Sequence, residues 1–161
     1  MARNMVETLM GLLLAVITLG RRAYWFVRRP VTLGARSLVL DGDQVLLVRG
    51  HGQDRWHLPG GAVNRNETLA EAARRETREE AGCEVEIECF LGMYFSRWSW
   101  KSDHMAIFVA RPVSPVVLRF NIEIGEARYF PIAALPRNVD PTVRRRLDDY
   151  ASGTRGIHGS W

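Results

Sequence analysis

Cysteine is scarce: only Cys83 and Cys89 occur in 161 residues, and they form no CxxC pair. That excludes a disulfide-stapled scaffold and, with four scattered histidines, a thiolate zinc site. Both read as reduced packing residues of a cytoplasmic protein. Lysine is scarcer still. Lys101 stands alone among 22 basic residues, a bias that hints at a GC-rich genome and says little about function. Long apolar runs are lacking too. The uncharged Leu9–Leu19 (LMGLLLAVITL) falls short of the roughly 20 residues that span a bilayer, and Gly20-Arg21-Arg22 makes a poor signal-cleavage site.

The length fits one domain with a sizeable core, and a 47% hydrophobic, 25% charged composition excludes disorder. The formal charge of +4 is unevenly placed. Residues 1–36 hold six arginines against Glu7, and the remainder is nearly balanced, so the basic character belongs to an N-terminal arm. Because that arm is apolar and no broad basic face accompanies it, nucleic-acid binding or RNA-end processing is a weak reading. An apolar helix flanked by arginines and by Tyr24-Trp25-Phe26 has three placements open to it. It can pack on the domain or pair two copies in a homodimer, lie on the inner membrane face as a peripheral anchor, or, least favoured, span the membrane.

Beyond Pro30, which ends what precedes it, short strands alternate with helical signals. Leu33–Leu40 and Val45–Arg49 flank Asp41-Gly42-Asp43-Gln44, a hairpin signal. Glu84–Glu88 and Cys89–Phe95 read as strands, Ser96–Asp103 as a loop, and His104–Ala110 as a strand. Val116–Phe120 is a weaker strand, Ala127–Phe130 a short one, and Ile132–Leu135 a helical turn. Asp140-Pro141 opens a helix through Tyr150, and the glycines and serines of 151–161 predict a loose tail.

Gly61–Cys83, GAVNRNETLAEAARRETREEAGC, carries the functional signal. Thr68-x-x-Glu71 is a capping box and Gly82 a helix stop. Leu69, Ala73, Thr77 and Ala81 form the expected buried stripe, with the glutamates on another side. Glu76, Glu79 and Glu80, spaced i, i+3, i+4, share one helical face and repel by a few tenths of a kcal/mol per pair. A compensating cation is implied, and converging carboxylates with a backbone carbonyl suit Mg²⁺ or Mn²⁺. The bland alternative is a solvated acidic helix laced with Arg/Glu pairs.

The segment resembles the Nudix box: G, five residues, E, seven residues, then R-E-U-x-E-E-x-G-U, where U is bulky and apolar. Gly61, Glu67, Arg75, Glu76, Glu79, Glu80 and Gly82 match, whereas Thr77 and Cys83 depart at the U positions. The resemblance implies an α/β (α+β) Nudix fold over residues 31–150, a mixed sheet sandwiched between helices, after an extra N-terminal helix in 1–30. It implies a metal-dependent pyrophosphohydrolase acting on a nucleoside diphosphate derivative. It further implies Glu79 and Glu80 as ligands of Mg²⁺ (or Mn²⁺), with the Gly60 carbonyl. Glu76 would be a third ligand or the base that orients water, and Arg75, also in the catalytic set, would pair with Glu67. One more acid is expected beyond the box, Glu123 or Glu126. For substrate contacts the candidates are Arg49, Arg55, Trp98 and Trp100; His57 and His104 read as structural. Two subclass markers are absent, with Ser99 where ADP-ribose hydrolases carry proline and Lys101 where dinucleoside polyphosphate hydrolases carry tyrosine. The alternative from another class is a non-catalytic nucleotide-binding or regulatory module, although such modules commonly lose box glutamates and this chain keeps them.

Overall fold

The computed structural model describes residues 20, 31–98, 101–117 and 122–161, with no account of the Trp98 and Lys101 side chains. The arm at 1–30 lies outside the described residues apart from Gly20, as does Trp100. Among the described residues, no helix is long and apolar enough to cross a membrane. The chain divides into two compact units: Met1–Thr32 with Arg97–Asp103, and Leu33–Ser96 with His104–Trp161. In the first, the Thr32 hydroxyl donates to Asp103 Oδ1 at 2.7 Å. The second holds both helices, the body of the sheet and every site residue described below.

The predicted hairpin is β1 (Val31–Asp41) and β2 (Gln44–Gly50), antiparallel through Asp41–Gln44, with Gly42 in the left-handed turn conformation at φ 59°. Then come β3 (Gly60–Ala62), α1 (Leu69–Ala81), β4 (Val85–Trp98), β5 (Lys101–Pro112) and β6 (Ile124–Pro131). A 3₁₀ turn (Ile132–Ala134), α2 (Pro141–Ala151) and β7 (Ile157–Ser160) complete the order. Among the described residues, seven strands make one mixed sheet, β6-β2-β1-β5-β4-β7, with β3 added to β1.

The two faces of that sheet are built by period-two alternation of strands that are apolar throughout. Val45, Leu47, Ile107 and Val109 join Leu38 and, from α2, Val143 and Leu147 in one cluster. Leu46, Val48 and Val39 point the other way, to Ala81 at the end of α1, while Ala106 and Phe108 meet Ala72 and Ala73 of α1. The alanines let α1 approach closely. Each fully buried Leu, Ile or Val contributes about 1.5–3 kcal/mol, so both helices are pinned by their apolar faces.

The structure departs from the sequence expectations at four places. The segments 84–88 and 89–95 are one strand, β4, running to Trp98, and β5 starts at Lys101, so little of the predicted 96–103 loop remains. Val116 and Val117 lie outside any strand, and 118–120 lie outside the described residues. In the predicted tail, Ile157–Ser160 instead pairs in parallel with β4, Gly92 to Ile157 and Phe95 to Ser160. Gly92 permits it: a Cβ there would stand 2.4 Å from the Ile157 carbonyl oxygen. Finally, Glu80 is buried with the α1 stripe instead of standing clear of it.

Candidate active site

Local signals set the box helix. Thr68 caps α1, accepting from the Glu71 N–H while the Glu71 carboxylate accepts the Thr68 N–H, and Gly82 ends the helix in the left-handed conformation. The two departures from the box are accommodated by polar partners. The buried Thr77 hydroxyl lies 2.9 Å from Ser37 Oγ of β1, which itself donates to the Ala73 carbonyl at 3.1 Å. Cys83 is buried, with its thiol 3.3 Å from the Ser114 carbonyl oxygen.

Arg75 organises the acids. Its Nε donates to Glu67 Oε1 at 2.7 Å and its Nη2 to Glu67 Oε2 at 3.0 Å, while Nη2 also reaches the Ala62 carbonyl at 2.9 Å. Nη1 donates to Glu76 at 2.6 Å and to Glu79 at 3.1 Å. A planar fork is the group that can hold three carboxylates and a carbonyl together. The Glu67 carboxyl is held below its ordinary range, chiefly by the Arg75 hydrogen bond.

Two glycines shape the backbone beside it. A Cβ on Gly61 would lie 2.8 Å from the Glu76 carboxyl, so that carboxyl occupies space a side chain would need. Gly60, at φ 142°, runs so close to β1 that a Cβ would meet the Ala35 carbonyl oxygen at 2.3 Å. Its N–H donates to Glu80 Oε2 at 2.8 Å.

Glu80 and Gly60 line a cleft of about 540 Å³ with Arg36, His57, Glu123, Asp140 and Trp161. Burial pushes the Glu80 carboxyl up to about 7; Glu76 and Glu123 add to the rise, and the Gly60 N–H and Arg36 oppose it. Burial, then the Arg36 charge, holds the His57 imidazole below its ordinary value. Arg36 reaches the Leu58 carbonyl oxygen and stands 3.3 Å from His57 Nδ1. For Asp140, burial favours the neutral acid but is outweighed by the Thr142 hydroxyl and N–H it accepts, so its carboxyl lies below the ordinary range.

The sequence candidates therefore divide. Glu76, Glu79 and Arg75 form one cluster, with Glu67, and Glu80 adjoins it beside Gly60. Glu123 lies in the cleft with Glu80, whereas Glu126, on β6, is bound by Arg49 and by Arg128 at 2.7 Å and lines a separate recess. Arg49, its guanidinium 4.9 Å from the Trp56 ring centroid, goes with Glu126. Arg55 is exposed and does not line the cleft. Arg36, Asp140 and Trp161 were missed as cleft residues. Arg36 did leave a signal, as the one charge inside the apolar β1 run.

A divalent cation fits this donor set by its chemistry. Glu80 is a desolvated carboxyl that accepts the Gly60 N–H, with Glu76 and Glu123 adding negative potential against the Arg36 charge. Among the described residues, no three His, Cys, Asp or Glu side chains are already gathered as a metal cage. Glu76 and Glu79 are turned instead to Arg75.

A family-wide description of the NUDIX domain matches residues 30–150. The chain belongs to the NUDIX family. It is 28% identical over 128 residues to a Bacillus subtilis protein provisionally named 8-oxo-dGTP diphosphatase, covering 79% of this chain and 85% of that one. The human 8-oxo-dGDP phosphatase NUDT18 is 32% identical over 100 residues, 58% of this chain and 30% of that protein. The structure of a UDP-X diphosphatase shares the fold at a TM-score of 0.68, with 24% identity, over 80% of this chain and 66% of that one. This NUDIX protein is a hydrolase acting on phosphorus anhydrides, in a family that generally uses divalent metal cations.

Proposed function

We propose that this NUDIX hydrolase uses Mg²⁺ (or Mn²⁺) to cleave a phosphoanhydride bond of a nucleoside diphosphate derivative, with purine nucleoside di- and triphosphates the first class to test. The observation that carries the reading is the buried Glu80 carboxyl, bonded to the Gly60 N–H at 2.8 Å beside Glu76 and Glu79 in the Arg75 fork. Glu79 and Glu80 would hold the cation, with the Gly60 carbonyl, and Glu76 and Glu123 adjoin them. Bound there, a divalent ion supplies charge neutralisation at the phosphoryl oxygens and acidifies water. Phosphoryl transfer asks the protein mainly for positioning and charge placement. Arg75 supplies the first by fixing Glu76 and Glu79. Glu76 would be a further ligand or the base that takes a proton from the attacking water, and Arg36 would bring positive charge to the cleft.

Three lines support the nucleotide class. The relatives of Bacillus subtilis and human carry names of purine nucleotide phosphatases. A cleft of about 540 Å³ suits a ligand of that size. A basic residue and an aromatic one line it alongside the acids. A phosphate-release screen over nucleoside triphosphates, oxidised purine nucleotides, nucleotide sugars, ADP-ribose and dinucleotides, with and without Mg²⁺, tests the reading. Metal-dependent release from at least one class, lost in Glu79→Gln, is expected. Stoichiometric nucleotide binding without turnover would favour the non-catalytic module.

A further inference from the structure

We propose that Trp161 is the nucleobase platform of this cleft, holding the base of the substrate by stacking; the inference rests on the nucleotide reading above. Trp161 follows β7, and its backbone is fixed: the Trp161 N–H donates to the Phe95 carbonyl at 2.8 Å, extending the parallel β4–β7 ladder. The ring is held edge-on by Tyr94, at 6.3 Å between centroids and 63° between planes. Tyr94 is itself locked, its hydroxyl donating to Asp149 at 2.9 Å and its ring covered by the Arg146 guanidinium at 3.4 Å. Arg146, buried, also approaches the Trp161 ring, at 5.6 Å. This layer is stiff enough to present an aromatic surface in one orientation.

The position suits a nucleotide. Trp161 is half-buried and lines the cleft that holds Glu80 and Gly60. Among the described residues lining that cleft, it is the only Trp, Tyr or Phe. Arg36 joins the two ends, with its guanidinium 5.8 Å from the Trp161 centroid and its charge felt at Glu80. A phosphate chain directed at the carboxylate end therefore leaves its base on the side where the indole stands. Stacking is tolerant of base identity, because every base has a π-face, so Trp161 sets affinity for the nucleoside without choosing among purines.

Calorimetric titration with GMP and with ribose 5-phosphate, both in Mg²⁺, tests this in wild type, Trp161→Leu and Trp161→Phe. Leucine keeps apolar bulk against Tyr94 but has no π-face, and phenylalanine restores one. Wild type is expected to bind GMP at least about tenfold more tightly than ribose 5-phosphate, the scale of one base–aromatic stack. Trp161→Leu should erase most of that preference with ribose 5-phosphate affinity unchanged, and Trp161→Phe should recover most of it. Equal weakening of both ligands, or a wild type that binds no GMP or binds the two alike, would overturn the platform. Wild type that shows the preference but hydrolyses no phosphoanhydride would sink the enzymatic reading and leave the platform standing.

Discussion

Replacing Glu80 by glutamine should make the metal-free protein more stable at pH 8, although it removes a proposed metal ligand. The carboxyl is pushed by burial from 4.5 to about 7 in the folded chain. Between those values the folded state holds a proton that the unfolded state has released, so stability is full below about pH 4.5 and declines as pH rises through 7. The loss across that interval is about 3 kcal/mol. Glutamine keeps an oxygen to accept the Gly60 N–H but introduces an amide NH₂ needing partners, which returns about 1–2 kcal/mol of the gain. The net is about 1–2 kcal/mol, or roughly 3–6 °C in melting temperature for a domain of this size. Melting curves in chelator at pH 5 to 8 would be compared between the two proteins. The difference between them matters, because His57 acts oppositely: its lowered value withdraws stability as pH falls below 6.5. Mg²⁺ at pH 8 should stabilise wild type and leave the variant nearly unmoved. A variant that melts below wild type at pH 8, or two curves that stay parallel from pH 5 to 8, would show that burial does not raise the Glu80 carboxyl.

Gly61→Ala should fold normally yet lose activity, by up to about 100-fold, because the new Cβ pushes the Glu76 carboxyl out of the position Arg75 holds it in, while no backbone atom is among the nearest it meets; unchanged kcat with intact Glu76 geometry in a crystal structure would contradict this. Arg75→Lys keeps the charge but cannot serve Glu67, Glu76 and Glu79 at once, so apparent Mg²⁺ affinity or turnover should fall about 10- to 100-fold, read from metal titrations of activity. Thr77→Val should cost about 1 kcal/mol in urea unfolding through the loss of a hydroxyl that lies 2.9 Å from Ser37 Oγ and 2.7 Å from the Ala73 carbonyl oxygen. Adding Ser37→Ala should cost less than the two single losses combined, and strict additivity would show that the hydroxyls do not cooperate.

The parts legible in the sequence were those set by neighbours along the chain. The hairpin at Gly42, the Thr68–Glu71 capping box, the Gly82 stop and the Glu67–Arg75 pairing depend on residues within a few turns of each other. Glu80 falls outside the Leu69–Ala81 stripe of four-residue spacing, yet seven residues make two turns and set it beneath Ala73, on the buried face. What stayed illegible depends on distant contacts. Arg36 gains its role only when β1 lies beside Gly60, and Trp161 only when β7 finds β4, which a bare Gly92 permits. Glu123 and Glu126 are three residues apart and equal as sequence. Two arginines claim one and the cleft receives the other.

Metal-dependent catalysis by the box glutamates is measured most directly by hydrolysis of a purine nucleoside triphosphate as Mg²⁺ is titrated, in wild type and Glu79→Gln. Glu79 lies half-exposed at the edge of the Arg75 fork, so the substitution should leave the fold intact. Saturable, Mg²⁺-dependent phosphoanhydride cleavage is expected in wild type, with its loss in the variant at an unchanged melting temperature. Equal Mg²⁺-dependent turnover in both proteins, or turnover in wild type that ignores the metal, would contradict a metal-dependent role for Glu79.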